Sequence, residues 1–355
     1  MVRRIRRLSA NPAAILVKAY ERNLKSMTRA TLAGGKRLAG QVRRAAEKMH
    51  GAPPGPGDWL PGVALGPAGA RAYHLYRPAG LSWVPGQKLP LVVMLHGCGQ
   101  SGRAFAISTR MNRLAARERF LVLYPDQDRI ANAQGCWNWF ERRSGKADAE
   151  VATLMAALDQ VQMLYPVDRD RVVLAGLSAG ASMAVLMATR HPQRFQAVAA
   201  HSGVAPGAAG SAGSALGAMR GRHLPSVIPS AVGKAMGAAV QMTLLPPLLL
   251  LHGCEDQVVV AENASHLASV WSHATGARPL ASRVLQRGQR QPARVTDYRR
   301  KGRTMVRLAE IEGLGHAWSG GLGSQPFSDP RGPDATRMIW TFAQLAFRER
   351  GSGGD

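Results

Sequence analysis

Ser178 stands between Gly176 and Gly180 in the stretch VVLAGLSAGASM, after a continuous apolar run and before a helical pattern. In that strand, turn and helix context a G-x-S-x-G segment makes a strained turn that lifts the serine hydroxyl clear of the backbone, at a helix N-terminus. A serine hydroxyl is a weak nucleophile until a base takes its proton, and histidine titrates in the right range to do so. Of the ten histidines, His316 in IEGLGHAWSGG is the candidate base, because it lies in a glycine-flanked loop after the last apolar run, downstream of Ser178. The base needs an acid to hold its tautomer and to stabilise the imidazolium. LLLLHGCEDQVV supplies Asp256 just past a buried run, with Glu255 as its rival. A carbonyl oxygen that gains charge also needs backbone N–H donors. Ala179, the residue after the nucleophile, is one; the turn in VVMLHGCGQSG offers Cys98 or Gly99 as the other. Together these residues are suited to acyl transfer.

Such residues must be held at the ends of strands. The runs ARAYHLYRP, LPLVVMLHG, RFLVLYPD, DRVVLAGLS, FQAVAAHSG, PLLLLHG and MVRLAEIEG read as strands, separated in places by amphipathic segments such as AEVATLMAALDQVQMLY and AGASMAVLMATRHP. Continuous Val/Leu runs indicate strands covered on both faces, and hence a mostly parallel sheet flanked by helices. Ligand sites in such open sheets lie beyond the carboxyl ends of the strands, where the candidate residues fall. LHGC occurs twice, at 95–98 and 251–254; no repeat surrounds either copy, and two strand ends on one edge of a sheet explain it.

The chain has 355 residues, with 46 Lys+Arg against 22 Asp+Glu for a net charge of +24. Residues 1–50 carry thirteen Lys/Arg and two Asp/Glu, so +11 of that excess sits there. Asn11-Pro12 reads as a helix start, and Leu16, Tyr20, Leu24 and Met27 follow at helical spacing among basic residues. Residues 1–50 are thus expected to be a basic amphipathic helical extension, and an anionic surface or polymer granule is a candidate partner. No specific nucleic-acid partner is expected. A Pro/Gly linker is expected over 51–63, a catalytic domain over 64–350, and a tail over 351–355. The Gly/Ala-rich stretch 205–239 reads as a lid insertion or a loop without function. Arg278 to Arg303, with nine Lys/Arg and one Asp, reads as a solvated face. No run approaches the roughly 18 apolar residues of a spanning helix, and no secretory leader is evident.

The segments LHGCGQ, CWNWF, YPVDRDRVVLAGLSAGASM, HGCEDQVV, GLGHAWSGG and DPRGPDATRMIWTF occur in this order. With them the chain, over about residues 58–348, resembles the polyhydroxybutyrate-depolymerase family of esterases, a branch of the α/β-hydrolases that also contains feruloyl and acetylxylan esterases. The resemblance implies a mixed α/β fold with a central sheet, Ser178 as nucleophile, Asp256 as acid and His316 as base. It implies ester hydrolysis through an acyl-enzyme with neither metal nor organic cofactor. It further implies a Cys98–Cys136 disulfide, against which stand two neighbouring reduced thiols, with Cys254 free and without a role. Trp137, Trp139 and Trp318 become candidate walls of a substrate pocket, although at least one of the first two is as well suited to packing beneath its loop; Asn138 has no assigned role.

Secreted, polymer-degrading members usually carry a leader and many a separate polymer-binding module, and neither is evident in this sequence. Soluble oligomers, small esters or an amorphous granule therefore fit better than crystalline polymer, and a cytoplasmic or granule-associated location is expected although the family is commonly extracellular. Two other readings stand beside the esterase: a peptidase of the same fold, and a granule- or surface-bound protein whose hydrolase site is vestigial.

Overall fold

The structure, a computed structural model, describes residues 53, 55–81, 86–222 and 245–351. The expected extension 1–50, the front of the linker, lid residues 223–239 and the tail from 352 lie outside the described residues. The described chain builds one sheet of eleven strands: β1 (Asp58–Gly66), β2 (Gly69–Arg77), β3 (Leu89–Leu95), β4 (Leu121–Pro125), β5 (Val167–Leu177), β6 (Ala197–His201), β7 (Leu248–Gly253), β8 (Arg278–Pro279), β9 (Arg283–Leu285), β10 (Ala293–Arg300) and β11 (Arg303–Ile311). Their order across the sheet is β1-β2-β4-β3-β5-β6-β7-β11-β10-β8, with β9 also paired to β10. From β4 to β11 the neighbours run parallel, while β1, β2 and β10 add antiparallel edges. This is the mixed α/β architecture of an α/β-hydrolase.

Every residue of β3, β4, β6 and β7 is buried, as continuous apolar runs require of strands covered on both faces. On one face pack α3 (Lys146–Leu164), α4 (Ala179–Arg190) and α6 (Glu262–Thr275), through Val151, Leu158, Ala184, Met187, Leu267 and Trp271. On the other pack α1 (Gly102–Thr109), α2 (Met111–Glu118) and α7 (Ala335–Gly351), through Phe105, Leu114, Ile339 and Phe342. A short α5 (Ala212–Met219) follows β6, and β12 (Trp318–Ser319) pairs with β13 (Ser328–Asp329).

Each of the seven expected strands is present, and three segments read differently. Asp58–Gly62 is not linker but half of β1, in register with β2 from Asp58↔Arg77 to Gly66↔Gly69. Pro61 is tolerated because β1 is an edge strand whose outer N–H groups need no partner, and a Cβ at Gly62 would collide with the Tyr73 ring across the hairpin. The basic stretch 278–303 is not simply a solvated face. It contains β10, whose Ala293, Val295 and Asp297 are buried, with Asp297 held by Arg307 and Arg283. The described part of the expected lid is anchored to the core on one side: Ala205, Ala208, Ala215 and Ala218 are buried, Ser211 to Ser214 and Leu216 are exposed, and Asn263 Nδ2 donates to the Ala218 carbonyl at 3.1 Å.

Candidate active site

Strand register brings the candidate residues to one edge of the sheet. Leu95 pairs with Gly176, Leu177 with His201, His201 with Leu251, and Gly253 with Ile311. The turns after β3, β5, β7 and β11, which carry Cys98, Ser178, Asp256 and His316, therefore emerge side by side.

Ser178 has φ 56° and ψ −121°, a strained conformation for a residue with a side chain, costing of the order of 1–3 kcal/mol. Its flanking glycines are required by close approach. A Cβ at Gly176 would strike the backbone of Gly180, and one at Gly180 would strike the carbonyls of Leu95 and His96. The backbone N–H of Ser178 donates to the His201 carbonyl at 2.9 Å, which ties the elbow to β6.

Asp256 and His316 are joined: His316 Nδ1 lies 2.7 Å from Asp256 Oδ2. A carboxylate accepts only, so Nδ1 carries the proton and Nε2 is left to act as acceptor. Two main-chain bonds hold the two loops together, from Cys254 N–H to the Ile311 carbonyl and from Glu255 N–H to the Leu314 carbonyl. Asp256 Oδ1 accepts from the N–H groups of Val258 and Val259 at 2.9 Å each, and His252 Nε2 lies 3.4 Å from Oδ2. Burial alone would raise the Asp256 pKa; the hydrogen bonds from His252 and His316 outweigh it and hold the carboxyl well below the usual range. Glu255, the rival acid, is exposed. Ser178 Oγ makes no hydrogen bond to His316 among the described residues; such contacts are often long in a site without substrate.

The two candidate oxyanion donors differ in what already occupies them. Gly99 N–H donates to the Gln134 carbonyl at 2.9 Å, so the alternative at Gly99 is corrected: its donor is spent. The N–H groups of Cys98 and Ala179 have no acceptor among the described residues. A Cβ built on Gly97 would lie 3.6 Å from Ser178 Cβ, so the turn borders Ser178.

The segment CWNWF is the buttress of that turn. Cys136 is bonded to Cys98, with 4.3 Å between the Cα atoms, and Cys254 is free and exposed. Trp137 is fully buried and its Nε1 donates to the His96 carbonyl at 2.9 Å. His96 Nδ1 donates to the Gly97 carbonyl, and its Nε2 accepts from Gln127 N–H. Gln127 Nε2 reaches both the Cys136 carbonyl at 2.9 Å and Glu150 Oε1 at 2.7 Å. Asn138 donates to Glu150 through its backbone N–H at 2.9 Å and its Nδ2 at 2.6 Å. A single buried carboxylate on α3 thus anchors the whole loop.

Trp137 and Trp318 are corrected as pocket walls. Both are completely buried; Trp318 packs edge-on against Phe105, stacks on His201 and donates from Nε1 to Thr336 Oγ1. Only Trp139, 6 % exposed and edge-on to Phe140, keeps any surface. Sequence reasoning missed Phe327, 47 % exposed with φ 54°, whose ring stands 6.4 Å from that of His316. It also missed the buried histidines His96, His201 and His252, although each closes an apolar run. His201, which accepts from Ser319 N–H, is pushed down to about 3 by burial and by the charges of His252 and His316.

Residues 71–283 match the family described as Esterase PHB depolymerase. The chain belongs to this family. Poly(3-hydroxyalkanoate) depolymerase C of Paucimonas lemoignei is 36 % identical over 115 residues, 32 % of this chain and 28 % of that protein. Feruloyl esterase B of Neurospora crassa is 28 % identical over 217 residues, 59 % of this chain and 72 % of that one. The match thus spans less than a third of the first relative's length. An acetyl xylan esterase from Aspergillus awamori shares the fold, with a TM-score of 0.59 at 18 % identity over 73 % of this chain and 94 % of that structure. No described helix is long and apolar enough to cross a membrane.

Proposed function

We propose that this PHB-depolymerase-family chain is a serine esterase that cleaves carboxylic esters with Ser178 as nucleophile, His316 as base and Asp256 as acid. The observation that carries the reading is the 2.7 Å pairing of His316 Nδ1 with Asp256 Oδ2, on the same sheet edge as the strained elbow of Ser178. In the reaction His316 Nε2 takes the Ser178 proton as Oγ attacks the ester carbonyl. The developing oxyanion is received by the N–H groups of Cys98 and Ala179, each worth roughly 10²–10³ in rate. His316 then protonates the leaving alcohol, and water deacylates the enzyme by the reverse sequence. Loss of nearly all turnover of p-nitrophenyl butyrate in Ser178→Ala is expected; full activity in that variant refutes the mechanism.

The substrates best in keeping with the relatives are oligo- or poly-3-hydroxybutyrate and small soluble esters. A feruloyl or acetylxylan substrate is the second reading. It is favoured by exposed Phe327 beside His316, since an aromatic face suits an aryl or sugar ring. Turnover of hydroxybutyrate oligomers against methyl ferulate separates the two. The basic residues 1–50 are proposed to hold the enzyme on an anionic surface or granule. Cosedimentation of the full chain with anionic vesicles, lost on charge reversal at Arg3, Arg4, Arg6 and Arg7, tests that role; binding unchanged by the reversal rules it out.

A further inference from the structure

A cavity of about 290 Å³ opens on the α7 face of the sheet, beside β7, β10 and β11. Its walls are arginines: Arg283, Arg287, Arg290, Arg307 and Arg337. Two aspartates oppose them. Asp297 binds Arg283 and Arg307, and Asp334, on the rim, accepts from the backbone N–H of Arg337. Five guanidinium groups against two carboxylates leave a net +3, and Arg287 and Arg337 have no acidic partner among the described residues. The floor is of the opposite character: Leu285 and Met338 are half-buried and line it, over the buried core residues Leu249 and Val295.

We propose that this groove is a second ligand site, separate from the catalytic edge, that binds a carboxylate bearing a short hydrocarbon body. A guanidinium fork matches a carboxylate in a bidentate pair, and two unpaired forks at one mouth fix its position. The apolar lining calls for hydrocarbon, since beneath a fully hydrated anion the accessible parts of Leu285 and Met338 would stay against water. The volume equals roughly ten water-sized groups at about 30 Å³ each, the size of a six- to eight-carbon acid or a hydroxyacid dimer. Ester hydrolysis releases a carboxylate of this class, so the groove would hold product as it forms. That link to turnover rests on the esterase reading, whereas binding in the groove does not. The Pro333 carbonyl on the rim accepts from Ser319 Oγ at 2.5 Å, three residues beyond His316, so an occupied groove touches the loop that carries the base.

Calorimetric titration of the full-length Ser178→Ala protein with sodium hexanoate tests the proposal. The expected result is saturable one-to-one binding that weakens at least tenfold in the Arg287→Gln/Arg337→Gln protein and less in the double Lys variant. Hexanol, which lacks the charge, and inorganic phosphate, which lacks the hydrocarbon, should each bind at least tenfold more weakly than hexanoate. Hexanoate binding unchanged by the Gln substitutions would place the acid elsewhere, the acyl pocket included, and overturns the site. Absence of saturation, or phosphate binding as tight as hexanoate, overturns it as well. Arginine-dependent binding in a chain with no ester hydrolysis sinks the esterase reading alone.

Discussion

Replacing Glu150 by Gln removes one negative charge from a pocket where the side chain is 1 % exposed, and it changes neither volume nor shape. The carboxylate accepts from Gln127 Nε2, Asn138 Nδ2 and Asn138 N–H, and the Arg71 guanidinium lies 4.0 Å away, itself buried and over the Trp137 ring. An amide has one oxygen in place of two, so its NH₂ must confront at least one of these donors. Hydrogen bonds to charged groups contribute about 1.5–3 kcal/mol. Leaving the Arg71 charge without its anion brings the total to roughly 3–5 kcal/mol. The melting temperature should fall by roughly 6–20 °C, at about 2–4 °C per kcal/mol for a domain of this class. Since Gln127 and Asn138 hold the Cys136–Trp137 segment against the oxyanion turn, kcat should fall as well, measured well below the transition. KM should move less, because the elbow and the Asp256–His316 pair are untouched. Arg71→Met in the same chain should return part of the lost stability, because it removes the uncompensated charge. The reasoning is refuted if Glu150→Gln costs less than about 1 kcal/mol in guanidinium unfolding, or if the two substitutions add without coupling.

Asp256→Asn should leave the fold intact by circular dichroism while lowering kcat by roughly 10⁴, because the amide can hold His316 in the wrong tautomer. Removing the disulfide in Cys98→Ser/Cys136→Ser, which opens a loop with a sequence separation of 38, should cost about 4 kcal/mol on the chain-entropy account; kcat should fall through a looser Cys98 N–H, and stability unchanged on denaturation would count against this. His201 is held neutral when folded, so the unfolded chain binds the extra proton between its ordinary value near 6.5 and about 3. Stability should therefore fall with pH through that window, by up to about 1.4 kcal/mol per unit from this residue; urea unfolding of His201→Gln from pH 7 to 4 should show the shallower slope, and an unchanged slope refutes it. Phe327→Ala should raise KM for aryl esters about threefold to tenfold, the worth of an aromatic contact near 0.5–1.5 kcal/mol, and leave acetate esters alone; a uniform effect on both substrates would exclude a role in recognition.

The parts of the site that were legible in the sequence are those fixed by backbone geometry. Gly176 and Gly180 announce a close approach, and the apolar runs before Cys98, Ser178, Asp256 and His316 announce strand ends, so their order and spacing sufficed. What the sequence could not carry is side-chain direction in loops. Trp137, Trp139 and Trp318 look alike as residue types, yet Trp137 points beneath its loop to the His96 carbonyl and Trp318 into the core at Phe105. That choice depends on residues distant in the chain, such as Glu150 and Thr336. The same limit applies to β10, where an alternating strand with arginines on its open side has the composition of a solvated face until Asp297 is seen buried beneath it.

Buried histidines cluster behind the edge of the sheet that carries the candidate residues. His96, just past the end of β3, and His201 and His252, near the ends of β6 and β7, are each buried beneath a turn at this edge, His252 one residue beyond the Leu251 that pairs with His201. Each uses its ring to satisfy main-chain groups that the ending ladder leaves free: His96 the Gly97 carbonyl and Gln127 N–H, His201 the Ser319 N–H, His252 the Val259 carbonyl. Burial keeps His96 and His201 uncharged, so they can both donate and accept without placing a positive charge beside His316. A histidine is the side chain that bridges a donor and an acceptor across one small ring, which an aspartate or a lysine cannot do. The turns that carry Cys98 and His316 are therefore held from beneath by the uncharged rings of His96 and His201, and the turn that carries Asp256 by the ring of His252.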